Sequence, residues 1–528
     1  VLASLVLTAC AQATPTPEKV VETVEVEKQV EKIVQVTPTP GPYKPVGTLR
    51  VALSTFPNSL YLPMSAERNA HNASWQLYDS LVYMNEAGEI EPALAEKWDV
   101  SEDGTEYTFT LREGVTFHNG EAFTADDVVA SWEWGKKDDM AWSEKWQMAK
   151  SVEKVDDYTV KVTTEGPKPL LLRSMTTFWA MTPEEYMDEV GLEGFYEHPV
   201  GTGPFMFEEW VKGDHITYSA NPDYWREEYP KAESLIFRPI PESATRTAAI
   251  QTDEVDIVGR LTAEEAQSLL GVPGVKVIKY PLARIWYVAF NNLTSGVDEP
   301  TEDAKVRQAM NYAVDVDAII EAIFQGYGKP ATGYVATGEL GYGIVEPFGY
   351  DPDKAMALLE EAGFGDGFEM DMACPAGAYS HFEEVCEAIV GYLSEVGIDV
   401  TLEIMESGHY WDLEASKELP PLFGDSWSEV SGEAYNRLKG ALGGWDASYS
   451  SWSDPTIDDY LNKISTEVDL EKRKQLYEDL QVYMQENPPF IYLYEQFTFE
   501  ATRTRVHNYQ PRPAEDYFLF QTWVLTEE

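Results

Sequence analysis

Positive charge and cysteine are both scarce in this chain of 528 residues: 39 lysines and arginines stand against 91 acidic residues, a formal net charge of -52, and there are three cysteines. Such an excess of negative charge repels phosphate backbones, which excludes nucleic acid as a partner. The acidity reads as a strongly solvated surface, with a bias in solute capture toward neutral or cationic molecules. Cys10, Cys374 and Cys386 form no CxxC pair and have no histidine at metal-ligand spacing, so a structural zinc site is excluded. With Cys10 set apart, Cys374 and Cys386 remain as an even pair, either a disulfide in an oxidising compartment or two buried thiols. The chain has no GxxxxGK[ST], HExxH or GxSxG motif, no strand-linked GxGxxG, and its seven histidines show no i, i+4 pairing. Carboxylates are too numerous for any two to be singled out as a glycosidase pair. No nucleophile, base and orienter assemble, so the chain reads as a non-enzyme with no cofactor and no metal.

What is present is ample material for a folded body: 44% hydrophobic and 12% aromatic residues in a chain long enough for two or three packed units. The opening run Val1 to Ala9 is apolar, too short to span a bilayer, and ends in small residues before Cys10. Leu7-Thr8-Ala9-Cys10 resembles a bacterial lipobox, which makes residues 1–10 the remnant of a secretory signal and Cys10 the site of lipidation. Thr-Pro repeats at 14–17 and 37–40 flank a Val/Glu/Lys stretch without aromatics, so 11–43 reads as a flexible stalk, able to hold the body about 30 Å from its anchor.

The body opens with an alternating strand, Gly47 to Leu53, and a helix is expected through Ala73 to Leu81. Tyr107–Leu111 and Val115–Phe117 read as strands, and Thr124-Ala125-Asp126-Asp127 has capping-box spacing at a helix start. Thr182-Pro183 and Asp351-Pro352 begin two further helices, the second stopping at Gly363. Strands and helices interleave without a repeat period, which points to α/β layers.

Between Tyr78 and Trp132 the motifs Pro92-Ala93-Leu94-Ala95, Ser101-Glu102-Asp103-Gly104, Phe117-His118-Asn119-Gly120 and Thr124-Ala125-Asp126-Asp127-Val128 fall in order. Gly201-Thr202-Gly203-Pro204-Phe205, Asn221-Pro222-Asp223-Tyr224-Trp225 and the run Val306 to Asp315 follow, then Ser453-Asp454-Pro455 and Pro488-Pro489. From about Gly47 to its end the chain resembles family 5 solute-binding proteins of bacterial ABC importers, the dipeptide and oligopeptide binders. The resemblance implies an α/β, two-lobed periplasmic-binding-protein fold with a hinge and an extra subdomain in the first lobe. The expected organisation is 44–281 as lobe I, including a subdomain at about 82–198, then 282–495 as lobe II and 496–528 as a return to lobe I. Hinges are expected near Tyr280-Pro281-Leu282 and Glu495-Gln496. It further implies a monomer outside the cytoplasm, held to the membrane by lipidated Cys10, that passes a small solute to a permease and its ATPase subunits.

In such relatives a Gly-, Trp- and Asp-rich loop lines the cleft, and Phe423 to Glu429 matches it, so Asp425 or Glu429 is expected at a ligand ammonium group, with Ser426 and Trp427 beside them. The usual Asp-Pro-Asp is replaced by Val430-Ser431-Gly432-Glu433. No arginine occurs between Arg307 and Arg437, so that stretch offers no guanidinium for a ligand carboxylate, which favours longer peptides held through their backbone. Trp75, Trp179, Trp286, Tyr287, Asn291 and Trp445 complete the expected lining. Oligopeptides are the first expectation; oligosaccharides stacked on aromatic rings are the alternative, with nickel chelates and opines behind them.

Overall fold

The computed structural model describes residues 44–65, 68–85, 88–429, 432–447 and 449–525. The signal remnant, the stalk and lipidation at Cys10 lie outside the described residues.

Two sheets organise the body. The first runs in the spatial order Val275–Pro281, Tyr494–Arg503, Ile257–Leu261, Thr48–Leu53, Ser234–Pro239, His215–Ala220 and Phe205–Val211. Thr48–Leu53 pairs in parallel with both its neighbours, as expected of a central α/β strand buried on both faces. The second sheet runs Ile398–Glu406, Phe368–Ala376, Leu422–Ser428, Arg284–Phe290 and Phe490–Tyr492. Arg284–Phe290 (RIWYVAF) is buried from Ile285 onward, the continuous apolar pattern of an inner strand. A third sheet of four antiparallel strands between Ala95 and Thr163 carries its own core around Phe109, Phe123, Trp146 and Trp179.

The chain crosses from the first sheet to the second between Pro281 and Arg284, and returns between Tyr492 and Tyr494. The two crossings are bonded to each other: Leu282 N donates to Gln496 O (3.0 Å) and Leu493 N to Trp286 O (3.1 Å). Trp286 stacks on Tyr494 with ring centroids 5.3 Å apart. Short paired crossings of this kind confine relative motion to a hinge. Cys374 and Cys386 are joined as a disulfide, tying the strand Phe368–Ala376 to the helix Phe382–Glu395.

One expected element is replaced. The helix of this region spans Arg68–Ser74 and ends where Ala73–Leu81 was to continue it. Residues beyond Ser74 are captured by another segment: Gly203 N donates to Leu77 O (2.9 Å) and Phe205 N to Gln76 O (3.0 Å). A Cβ on Gly203 would stand 2.4 Å from the Leu77 carbonyl carbon, so only glycine permits the approach. Val115–Phe117 likewise forms only an isolated bridge, Thr116 to Ala122. The helix Ala125–Gly135 starts as expected, with the Asp127 carboxylate accepting from Thr124 N at 2.8 Å.

The glycine turn also fixes a histidine. Gly201 N donates to His118 Nδ1 (3.3 Å), so the ring proton resides on Nε2, 3.0 Å from Gly203 O. Burial pulls the His118 pKa from 6.5 down to about 4, against the opposing pull of the Gly203 carbonyl. A folded-state pKa below the unfolded value gives stability that is complete above about pH 6.5 and is lost as pH falls toward about 4, by about 3 kcal/mol here. Thermal unfolding of His118→Gln across that interval should show a flatter pH dependence than the parent; identical slopes would assign the acid sensitivity elsewhere.

Candidate ligand cleft between the lobes

The carboxyl end of the strand Leu422–Ser428 opens into a cavity of about 570 Å³ between the two sheets. This is where open α/β sheets place ligands, because side chains at strand ends escape the core. Trp427, Ser428 and Glu429 come from that strand end, and Asn436, Lys439 and Gly440 from the following helix, Tyr435–Leu442. A Cβ on Gly440 would lie 2.3 Å from Trp427 Cη2, so this glycine lets the tip of the indole approach the helix. Tyr449 meets Trp427 edge-on at 5.2 Å. The opposite wall holds Arg68 and His71 from the helix Arg68–Ser74, with Trp142, Lys145, Phe178, Arg260 and Glu515.

Arg284 enters at the first crossing. Its Nη1 donates to Ser426 Oγ (2.8 Å) and its Nη2 to Ser428 Oγ (3.3 Å), as follows from the pairing of Arg284 opposite Ser428. Arg260 is ion-paired with Glu515 at 3.0 Å. Arg68 Nη1 is buried without a hydrogen-bond partner among the described residues; its guanidinium lies 5.9 Å from the Trp75 ring. Burial lowers the Arg68 pKa; Asp516 and Glu515 oppose that, and Arg260 and Arg284 add smaller contributions to it. Burial, reinforced by Arg68, holds His71 down at about 4, so its imidazole is neutral at ordinary pH and Nε2 faces Ser65 O at 2.6 Å. Five cations and three carboxylates line the cavity of a chain with net charge -52.

This lining corrects two expectations. The overall acidity does not extend to the cleft, where cations outnumber acids, so it gives no bias toward cationic solutes. The arginine-free stretch after Arg307 does not deprive the cleft of guanidinium either, because Arg68, Arg260 and Arg284 come from the facing wall and the crossing.

Of the residues singled out from sequence, Trp427 and Glu429 line the cavity. Ser426 is engaged with Arg284. Asp425 points into the second lobe, where its carboxylate accepts from Tyr379 OH (2.8 Å) and Tyr287 OH (3.0 Å). Beside it, burial and the Asp425 charge push Glu414 up to about 10, so Glu414 holds a proton at neutral pH. Tyr287 is therefore buried by the same bond, and Trp286 by its stack on Tyr494. Asn291 is fully buried and donates from Nδ2 to Leu419 O (2.9 Å), stapling a loop. Trp75 and Trp179 line a separate cavity of about 40 Å³ in the first lobe; Trp75 Nε1 donates to Thr177 O and Trp179 stacks on Trp146 at 4.7 Å. Trp445 is 64% exposed and stands outside the cavity lining. Sequence reasoning missed Arg68, Arg284, Lys145 and Lys439, whose signal was their rarity as cations or their place beside a crossing, and Trp142, which carried none.

Two α/β lobes that close on a charged, aromatic-walled cavity define an extracytoplasmic solute-binding protein. The chain belongs to the bacterial extracellular solute-binding proteins, family 5, whose model matches residues 89–449. Members of that family are substrate carriers of ABC importers, not enzymes. The chain is 31% identical to heme-binding protein A of Haemophilus influenzae over 481 residues, covering 85% of this chain and 87% of the relative. It is 30% identical to the dipeptide-binding protein of Escherichia coli over 482 residues, covering 84% and 88%. Among solved structures, HbpA2 from Haemophilus parasuis superposes with a TM-score of 0.81 at 27% identity, covering 91% of this chain and 100% of that one. The periplasmic binding protein DppA from Helicobacter pylori, in complex with the peptide STSA, gives 0.74 at 26% identity, covering 90% and 98%.

Proposed function

We propose that this protein is the capture subunit of a peptide importer and that it holds its ligand by carboxylate groups at Arg68 and Arg284. The observation that carries the reading is the buried, unpaired Nη1 of Arg68 in a cavity lining that also holds Arg260 and Arg284. A carboxylate satisfies that donor and accepts paired N–H bonds, the geometry in which arginine exceeds other cations. Trp142, Phe178, Trp427 and Tyr449 supply apolar faces for the rest of the ligand. A neutral oligosaccharide would stack on the same rings and leave Arg68 Nη1 without a carboxylate partner. Peptide ligands in relatives agree with the reading: one solved neighbour carries STSA and another a nonapeptide.

The mechanism follows from the hinge. Ligand bridging both walls favours the closed form, and shifting a two-state population from about 1:99 to about 99:1 needs about 5.5 kcal/mol of differential binding. The crossings at 281–284 and 492–494 support the lobe limits 44–281, 282–495 and 496–528, and Leu7-Thr8-Ala9-Cys10 supports a lipid anchor from which the body visits the permease. The test is to purify the full chain without added ligand, denature it, and identify the released small molecules by mass spectrometry. Peptides are expected; recovery of glycans alone would replace this reading with sugar uptake.

A further inference from the structure

Beside the main cavity lies a second chamber of about 180 Å³, sharing Glu144, Lys145, Phe178 and Asn436 with it. The two are separated by the contact of Lys145 Nζ with Asn436 Oδ1, 3.3 Å across the lobes. Leu170, Ser174 and Phe178 recur every fourth residue on or beside the helix Leu171–Phe178 and form one wall. Ser174 is 7% exposed, and its Oγ is buried without a hydrogen-bond partner while it lines this space. A buried hydroxyl left unpaired is costly, and a bound group would satisfy it. Lys168, Lys145 and Arg173 also line the chamber, with Glu144 its one carboxylate. Lys168 makes no ion pair or hydrogen bond through its ammonium group among the described residues.

We propose that this chamber is a second ligand subsite, which receives an acidic side chain or terminal carboxylate from the far part of an extended peptide whose other end lies at Arg68 and Arg284. The inference rests on the peptide reading and deepens it: the ligand is an anionic peptide long enough to pass the Lys145–Asn436 contact. Ser174 Oγ donates to the anion, Lys168 supplies the charge, and Tyr435 and Phe178 flank it.

The test is calorimetry with the full chain, freed of ligand, using tri-alanine, hexa-alanine, and hexa-alanine carrying one glutamate scanned through its six positions. One glutamate position should bind about tenfold or more tightly than hexa-alanine, as a charge-assisted bond implies. Lys168→Glu should abolish that gain and transfer it to a lysine at the same position, while tri-alanine, too short to arrive, binds as before. Ser174→Leu, which fills the chamber, should weaken hexapeptides and spare tri-alanine. A flat glutamate scan, or a Lys168→Glu effect equal on tri- and hexapeptides, overturns the subsite and leaves the peptide reading standing. Failure of every peptide to bind overturns both.

Discussion

Arg68→Gln should weaken peptide binding by about 30- to 100-fold and at the same time raise the thermal stability of the ligand-free protein. The first effect is the loss of a charge-assisted, paired hydrogen bond to the ligand, worth about 2 to 3 kcal/mol. The second follows because burial disfavours the Arg68 charge and its Nη1 gains no hydrogen bond in return. Removing that buried, unpaired donor is worth about 1 kcal/mol, the usual scale for a stabilising substitution at a functional site. Arg284→Gln should behave differently: it also loses the bonds to Ser426 and Ser428, so affinity and stability fall together. Calorimetric titration and thermal unfolding of the two variants side by side separate these outcomes. A stability loss in Arg68→Gln would show that the arginine is a packing residue.

Glu433→Leu should produce the largest loss of stability, about 3 to 5 kcal/mol, because it removes the carboxylate around which two buried guanidiniums gather. Glu433 is fully buried and accepts from Arg173 Nε (2.8 Å), from Arg473 Nε and Nη2 (2.9 Å each), and from Tyr477 OH (3.2 Å). Arg473 and Tyr477 belong to the same lobe as Glu433, whereas Arg173 reaches it from the helix Leu171–Phe178 on the facing side. Opening the cleft therefore withdraws Arg173 and leaves Glu433 still paired. Arg173→Gln should cost little stability in chemical denaturation. It should weaken every short peptide by one common factor, about tenfold, because the closed form becomes rarer in the ligand-free protein. Small-angle scattering of that variant without ligand should show a larger radius of gyration than the parent. Unequal losses among short peptides would place Arg173 in direct ligand contact.

Much of the architecture was legible because its local signals agreed: the strand at Thr48–Leu53, the cap at Asp127 and the stop at Gly363 each appear in the folded chain. The helix expected through Ala73–Leu81 failed for a non-local reason, since the backbone of Gln76 and Leu77 is claimed by the Gly201–Phe205 segment. The site was less legible for a similar reason. A period of two tells which side chains on Leu422–Ser428 share a face, but not which face is covered. Asp425 lies opposite Tyr287 and is drawn into the lobe by its hydroxyl, while Trp427, two residues on and next to the strand end, lines the cavity. Arg68 and Arg284 acquire meaning only when a helix near the start of the body and a crossing strand are brought to one cavity, which neither local pattern encodes.

The most direct test of a carboxylate-holding cleft is calorimetry with one peptide in two forms, free acid and C-terminal amide, on the full chain freed of ligand. The account predicts that the free acid binds about 30-fold or more tightly than the amide, and that Arg68→Gln narrows the gap. Equal affinities for the two forms would contradict it.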